Sequence, residues 1–495
     1  MLERLFCFRG GLSATTMALI CETVTGTTTD ALRAARDRAQ SADMVELRLD
    51  GVTDLDVAAA LQGRTRPVVV TCRAAWEGGA FSGSETERMA VLNQAAQLGA
   101  EFVDVEWRAN RSALRLGERT RLVLSHHDHA GLPGDLADRA RAMRAEAGAG
   151  VIKIAVTTAT FADCRRLRDA VGAGGDQVVI GMGHAGTLTR VCPWIYGSQW
   201  TYCGTAAPGQ LTYTELTELY QVRRTGPHTR VYGIVGAPLA HSASPAMHNA
   251  AFVAAGIDAV YVPVETSDAS EFLEGAREFG FAGASVTAPI KTQWASRGVR
   301  LDAASTKIGA INTLALNPQG EWEGYNFDVE GFVAPLVRRG LQLTGQRVVV
   351  LGAGGAARAT VWALSRQGAQ VEICARRIEA ATRLAAEFGA SAVTWPPRPG
   401  WDVLVNATPV GTWPAVERSP LSRESVRGRL VYDLVYNPPT TTLMKLARSA
   451  GADVISGLEM LVGQARAQFE CWTGTPAPER VMERAATEFL SRRTE

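Results

Sequence analysis

The chain has 495 residues, more than one ordinary domain holds, and a length of this order implies roughly three compact units. With 46% hydrophobic and 20% charged residues it has a globular composition, and each unit is long enough to bury a core without disulfide or metal staples. A net charge of +1, from 51 basic and 50 acidic residues, excludes the basic balance of nucleic-acid or anionic-membrane binders.

Residues 1–16 hold two arginines but neither an apolar core nor an A-x-A cleavage site, so a short disordered lead-in is expected there rather than a signal peptide, with Met17 as a candidate start. From Met17 onward short apolar runs (18–21, 44–49, 67–72, 102–107, 122–126, 151–156, 178–182 and 200–203) alternate with Ala-rich polar stretches of helical pattern. Such runs fit strands buried on both faces and joined by helices, and eight of them in about 200 residues predict a (β/α)8 barrel. An open doubly wound sheet is the alternative that periodicity alone leaves standing. Residues 221–228 break the pattern and read as a junction. Beyond it, runs at 231–235 and 260–264 alternate with helices, and 285–286 ends another strand. The run 347–351 then meets Gly352-Ala353-Gly354-Gly355-Ala356-Ala357, a helical stretch and a strand at 370–375. Strand, glycine turn, helix, strand is the setting of a dinucleotide site, with the pyrophosphate on the helix N-terminus. No apolar run approaches the ~18 residues that span a bilayer. The eight cysteines are scattered with no C-x-x-C pair, so neither a disulfide framework nor a metal site is expected, and a reducing cytoplasm is.

Barrel active sites gather at the C-terminal ends of the strands. Glu46 and Arg48 lie on the second run, Arg73 ends the third, and Asp104 and Glu106 lie on the fourth. His127 follows the fifth, Lys153 sits inside the sixth, and Arg190 and Gln210 follow the seventh and eighth. A lysine in a buried strand must lose its proton, pair with an anion or snorkel. Two readings of Lys153 therefore stand together: a neutral amine that forms a Schiff base with a ketone, and a structural ion pair with Glu46 or Glu106. His127 is a candidate general acid and base, with His126 and His129 as rivals. Arg48, Arg73 and Arg190 are expected to clamp a carboxylate, with Glu46 and Glu106 holding the arginines and the lysine in place.

The ensemble Val45-Glu46-Leu47-Arg48-Leu49-Asp50, Thr71-Cys72-Arg73, Glu77-Gly78-Gly79, Asp104-Val105-Glu106, Ser125-His126-His127-Asp128, Ile152-Lys153-Ile154-Ala155, Gly186-Thr187-Leu188-Thr189-Arg190 and Ala207-Pro208-Gly209-Gln210 resembles type I 3-dehydroquinate dehydratase, in order across 17–222. The resemblance implies that Lys153 forms the imine and that His127, selected by the family's S-x-H-D pattern, removes the adjacent proton. 3-Dehydroshikimate is released and no metal is needed. Ala206 stands where many relatives carry a substrate-contacting serine.

In the second half Gly352, Gly354, Gly355 and Ala356 form the glycine turn, and the next strand runs into Arg376 and Arg377, where an NAD site places an acidic residue. Arginine there favours the 2′-phosphate of NADP. The motifs His241-Ser242-Ala243-Ser244-Pro245, Val286-Thr287-Ala288-Pro289-Ile290-Lys291, Gly309-Ala310-Ile311-Asn312-Thr313, Asn326-Phe327-Asp328, Asn406-Ala407-Thr408-Pro409 and Gly457-Leu458-Glu459-Met460-Leu461-Val462-Gly463-Gln464 resemble shikimate dehydrogenase across 229–490. That resemblance implies a catalytic pair, Lys291 and Asp328, and a substrate pocket of Ser242, Ser244, Thr287, Asn312, Tyr436 and Gln464. Thr408 and Gly457 join the cofactor-binding set. Departures from the family pattern are Ser285, where asparagine is frequent, and Phe327 and Val329 around Asp328.

The expected architecture is thus α/β: a barrel at 17–222, a substrate-binding lobe at 229–334, a Rossmann NADP-binding lobe at 335–456, and C-terminal helices at 457–490 returning to the substrate lobe. The expected partners are small molecules, 3-dehydroquinate, 3-dehydroshikimate and shikimate, with neither nucleic acid nor membrane. A quinate dehydrogenase in the second half, and a sensor with inactive sites, are the rival readings. The Ser242-x-Ser244 pair and Arg376 weigh against the first, and the presence of Lys153, His127, Lys291 and Asp328 against the second.

Overall fold

The structure, a computed structural model, describes residues 18–492 except Ala149 and Pro208. The expected lead-in, the Met17 start and the Pro208 position of the motif before Gln210 lie outside the described residues. The described residues divide into two compact units, one of the residues up to Thr229 together with Val262–Glu265, the other of Arg230–Tyr261 and the residues from Thr266 onward.

In the first unit the apolar runs become β1 (Leu19–Val24), β2 (Met44–Arg48), β3 (Val68–Thr71), β4 (Phe102–Glu106), β5 (Arg121–Asp128), β6 (Val151–Thr157), β7 (Gln177–Met182) and β8 (Trp200–Gly204). They pair in the order β7-β6-β5-β4-β3-β2-β1-β8, all parallel. The first strand lies beside both the second and the eighth, which removes the doubly wound alternative. Between β7 and β8 the ladder reduces to one bridge, Gln177 to Ser198, so the barrel is nearly closed with a seam there.

Side chains of a strand alternate between faces. Cys21, Met44, Val69, Phe102, Val123, Val151, Val178 and Trp200, one from each strand, form a single buried apolar cluster inside the barrel. Two residues further along six of these strands, on the same face, come Thr23, Glu46, Thr71, Asp104, Ser125 and Lys153. The opposite face, with Val45, Leu47, Val68, Val70, Val103 and Val105, packs outward in a second apolar cluster. The apolar layer closes the barrel floor, and the polar layer stands on it.

From Arg230 onward the chain forms two sheets. A mixed one contains β9 (Arg230–Gly236), β10 (Ala259–Glu265), β11 (Phe281–Val286), β12 (Arg300–Leu301), β13 (Thr313–Leu316) and β14 (Trp322–Tyr325) in the order β10-β9-β11-β13-β14-β12. The other contains β15 (Arg347–Leu351), β16 (Gln370–Cys374), β17 (Ser391–Val393), β18 (Trp401–Asn406), β19 (Gly428–Asp433) and β20 (Asp453–Ser456). Its order, β17-β16-β15-β18-β19-β20, is parallel throughout and is that of a dinucleotide-binding Rossmann sheet. After β20 the helix Gly457–Thr473 runs back to the mixed sheet, where the Trp472 indole donates to the Leu314 carbonyl at 2.9 Å. No helix among the described residues is long and apolar enough to cross a membrane.

Candidate active sites

Lys153 stands on the polar layer of the barrel, 4% exposed, opposite Ser125 in register. Its Nζ donates to Glu46 Oε1 and Asp104 Oδ2, each at 3.1 Å, and lies 4.4 Å from the centre of the Tyr202 ring. Glu46 also accepts from the Thr23 and Thr71 hydroxyls at 2.8 and 2.9 Å. Burial alone would raise the Glu46 carboxyl, but Lys153 and Arg48 outweigh it and hold it below its ordinary range. Asp104 is likewise held down, against its burial, by Arg73 and Lys153.

The expected partner Glu106 does not reach Lys153. Its oxygens are taken by Arg73 at 3.0 Å, Arg88 at 2.5 Å and the Ala74 amide at 3.0 Å, and Asp104 fills the place beside the lysine. The three arginines also separate. Arg73 is engaged by Asp104, Glu106 and the Ser125 hydroxyl, and Arg48 is paired with both oxygens of Asp50 at 2.9 Å. Arg190, on the short helix Thr187–Val191, is buried, meets no carboxylate among the described residues, and its guanidinium is pushed down to about 10 by that burial. Gln210 is held by the Ala206 and Ala207 amides, which donate to its Oε1 at 3.0 and 3.1 Å.

His127 lies within β5 rather than just beyond it, because β5 continues to Asp128. Period two puts it on the Ser125 face and turns His126 to the other. Glu77, from the turn after β3, accepts from the His127 backbone amide at 3.2 Å and meets its Nδ1 at 3.0 Å. A carboxylate only accepts, so Nδ1 carries the proton and Nε2 keeps its lone pair. Burial, with help from Arg73, lowers the His127 imidazole to about 3. Glu77 is lowered to about 2, its burial overcome by the neighbouring His126 and His127 imidazoles, with help from Arg73. Reasoning from sequence quoted Glu77 in its motif without giving it a role, and it missed the grip of Asp50 on Arg48. The acid in Glu77-Gly78-Gly79, in the turn Ala75–Glu77 beyond the end of β3, marked a candidate but gave no sign of its partner.

In the second unit Lys291 Nζ lies 2.5 Å from Asp328 Oδ2, in contact across 37 residues of chain. Asp328 opens the helix Asp328–Arg338, where unpaired amides favour an anion. Its other oxygen accepts from Asn312 Nδ2 at 2.9 Å, and the same amide reaches Gln464 Oε1 at 3.1 Å. Ser242 and Ser244 form a second cluster, the Ser244 amide donating to Ser242 Oγ at 3.3 Å, with the Tyr436 phenol near Ser242. Thr287, half-buried after β11, is packed against Gly236, where a Cβ would stand 2.5 Å from its methyl. The departure Ser285 is built in: it accepts from Tyr261 at 2.6 Å and donates to Gln468 at 2.7 Å, and Gln468 in turn binds the Asn312 carbonyl. The departure Phe327 stacks on Tyr325 with ring centres 5.7 Å apart.

The glycine turn follows β15 directly. Gly352 has φ +110°, and a Cβ there would stand 3.0 Å from the Ala407 carbonyl, so the turn admits close approach only as glycine. Gly354 caps the helix Gly355–Arg366, and a Cβ on Gly355 would lie 3.1 Å from Lys291 Cβ and Cδ. The lysine of the catalytic candidates thus rests against the first turn of that helix, beside Ala356. Thr408, after β18, donates to Asn406 Oδ1 at 2.6 Å. Asn406 is anchored by Asp433, a fully buried acid that burial pushes up to about 6 and that sequence reasoning did not single out. Gly457 packs under the Leu434 and Val435 carbonyls, with no room for a Cβ. Arg376 and Arg377 are exposed at the carboxyl end of β16. A turn open to backbone approach, a helix N-terminus and two exposed cations together fit a dinucleotide carrying an extra phosphate.

Comparison with known proteins places these halves. Residues 20–227 match the family described as type I 3-dehydroquinase, 234–314 the shikimate dehydrogenase substrate binding domain, and 457–487 the shikimate 5'-dehydrogenase C-terminal domain. The chloroplastic bifunctional 3-dehydroquinate dehydratase/shikimate dehydrogenase of Arabidopsis thaliana is 34% identical, over 93% of this chain and 83% of that protein. The shikimate dehydrogenase (NADP(+)) of Moorella thermoacetica is 41% identical, over 53% of this chain and 94% of its own. A crystal structure of a shikimate dehydrogenase in complex with NADP+ superposes with a TM-score of 0.51 at 33% identity, covering 54% of this chain and 97% of that one. The chain belongs to the family of bifunctional 3-dehydroquinate dehydratase/shikimate dehydrogenases.

Proposed function

We propose that the chain converts 3-dehydroquinate to 3-dehydroshikimate in its first unit and reduces 3-dehydroshikimate to shikimate with NADPH in its second. The observation that carries this reading is the pairing of two built sites, a buried lysine between two carboxylates beside a neutral imidazole, and a Lys–Asp pair against a dinucleotide turn.

In the barrel the Lys153 ammonium gives up a proton and its amine adds to the substrate ketone; that proton then leaves with the ketone oxygen in a molecule of water, giving a protonated imine. Glu46 and Asp104, which face the ammonium at 3.1 Å, then face a cation of the same charge, so the iminium is stabilised without rearrangement. His127 Nε2 takes the proton from the adjacent carbon, and the electron pair moves into the iminium. The resulting enamine expels the β-hydroxyl, protonated by the His127 imidazolium, as a second water. Hydrolysis returns one water, frees the product and restores Lys153. Arg190 is the cation left to receive the substrate carboxylate, with Arg48 and Gln210 as further substrate contacts.

In the second unit Ser242, Ser244, Thr287 and Tyr436 hold the acid and its hydroxyls, with Asn312 and Gln464 behind the reacting end. When bound, NADPH supplies the hydride to the carbonyl carbon. The Lys291 ammonium, oriented by Asp328, gives its proton to the carbonyl oxygen as negative charge develops there. Gly352, Gly354, Gly355 and Ala356 receive the pyrophosphate, Thr408 and Gly457 border the cofactor, and Arg376 with Arg377 meets the 2′-phosphate. On this division the barrel occupies 17–222, the substrate lobe 229–334, the NADP lobe 335–456 and the returning helices 457–490. Seven free cysteines among the described residues, six of them buried, support a reducing cytoplasm as the setting.

The test is a coupled assay with 3-dehydroquinate and NADPH supplied together. NADPH oxidation with shikimate formed is the expected result, and oxidation only when 3-dehydroshikimate is supplied would remove the dehydratase half.

A further inference from the structure

His126 faces away from the reacting groups, yet it is 2% exposed and its neighbours are polar. Its Nε2 lies 3.2 Å from Arg139 NH1, and its Nδ1 lies 3.8 Å from Glu77 Oε1. Both that Nδ1 and that Oε1 are buried and have no other hydrogen-bond partner. A guanidinium has donors only, so Nε2 of His126 must accept, which puts the imidazole proton on Nδ1, aimed at Glu77. Arg139 is in turn held by Asp135 at 2.8 Å, and Trp107 packs edge-on against the His126 ring at 6.3 Å. The other oxygen of Glu77 is the one that takes Nδ1 of His127.

We propose that His126 is a positioning residue of the dehydratase, the middle of a relay Asp135–Arg139–His126–Glu77–His127 that runs from the outer helix Leu136–Ala147 to the catalytic imidazole. Arg139 selects the tautomer of His126; His126 donates to Glu77 Oε1 and fixes the plane of that carboxylate. Glu77 Oε2 then holds the Nδ1–H tautomer of His127 and leaves Nε2 as the base. A gap of 3.8 Å between two buried, otherwise unsatisfied groups closes to a hydrogen bond with a few tenths of an ångström from each side, and leaving them apart is costly. His127 is the residue that moves the proton, and His126 acts on it through Glu77.

The proposal rests on the dehydratase reading, and the experiment separates the two. Dehydration of 3-dehydroquinate is measured for the unaltered chain, His126→Phe, His126→Asn and Arg139→Leu, with shikimate oxidation by the second unit of each chain as the control. Phenylalanine keeps the bulk of the ring and removes the donor, whereas asparagine places an N–H near the position of Nδ1. His126→Phe should lower kcat about tenfold with little change in KM, and His126→Asn should recover most of it. Arg139→Leu should lower kcat in the same direction by a smaller factor, which keeps the relay open to test if His126→Phe does not fold. Normal kcat in both His126→Phe and Arg139→Leu, or equal losses in His126→Phe and His126→Asn, would overturn the relay. An unaltered chain that does not dehydrate 3-dehydroquinate would overturn the dehydratase reading, and the relay with it.

Discussion

Lys153 carried two readings in the sequence, ion pair or Schiff-base amine; the structure shows the ion pair, with Glu46 and Asp104, and the same two carboxylates would suit the iminium of the proposed mechanism. Borohydride added during turnover of 3-dehydroquinate should therefore trap a substrate adduct on the Lys153 peptide, seen by mass spectrometry, and full dehydratase activity in Lys153→Ala would end the proposal. His127→Ala should still form the adduct while turnover falls by ~10²–10⁴. The pH dependence follows from burial, which lowers the His127 imidazole from 6.5 to about 3. Below 6.5 the unfolded chain takes up a proton there and the folded chain does not, so acidification towards 3 costs stability through this group. The base also stays unprotonated in that window, so the acid limb of kcat/KM for dehydration should lie well below 6.5, and a limb centred at 6.5 would contradict it. Which of three histidines faces the lysine was legible by strand alternation once the strand's end was known. Glu77 was not, since it meets His127 across 50 residues that no local pattern connects.

At the scale of elements the strands were largely legible, because each parallel strand is buried on both faces and so reads as an unbroken apolar run. The seam between β7 and β8 was not, since it depends on pairing that leaves the runs themselves unchanged. The proposed function puts the choice of cofactor in the loop after β16. It puts Arg376 and Arg377 at the carboxyl end of the second strand of a Rossmann sheet, exposed and beside the glycine turn's strand. A guanidinium there can pair with a 2′-phosphate, a contact that NAD does not offer. Charged hydrogen bonds contribute about 1.5–3 kcal/mol, and an exposed one belongs at the low end, so Arg376→Ala should raise KM for NADP about tenfold. KM for NAD and kcat should hardly move, because the 2′-phosphate is remote from the hydride. Steady-state kinetics with shikimate and each cofactor measures this. Equal weakening of both cofactors, or a wild-type preference for NAD, would favour the quinate reading.

For the whole molecule, the two sites are built from separate stretches of the chain. The carboxylates, histidine and arginines around Lys153 all come from residues before Thr229, and the partners of Lys291 and Asp328 all come from residues after it. The apolar clusters divide in the same way, one set built from β1 to β8 and another from β9 onward. Each unit therefore has apolar clusters of its own, and among the described residues the named partners of Lys153 and of Lys291 are separate sets. On the proposed mechanism the intermediate is a small acid that leaves the first site by imine hydrolysis, so nothing covalent obliges it to enter the second site of the same chain. It follows that Lys153→Ala chains and Lys291→Ala chains, each unable to convert 3-dehydroquinate to shikimate alone, should do so when mixed. NADPH oxidation in the mixture should begin after a lag, while free 3-dehydroshikimate accumulates, and its rate should rise with the concentration of the Lys153→Ala chain, which supplies the dehydrogenase. The same two variants, assayed singly, should keep shikimate oxidation and dehydration respectively at close to wild-type rates. If both retain those separate activities and the mixture still oxidises no NADPH, the intermediate does not pass through solution, and independence of the two sites would have to be abandoned.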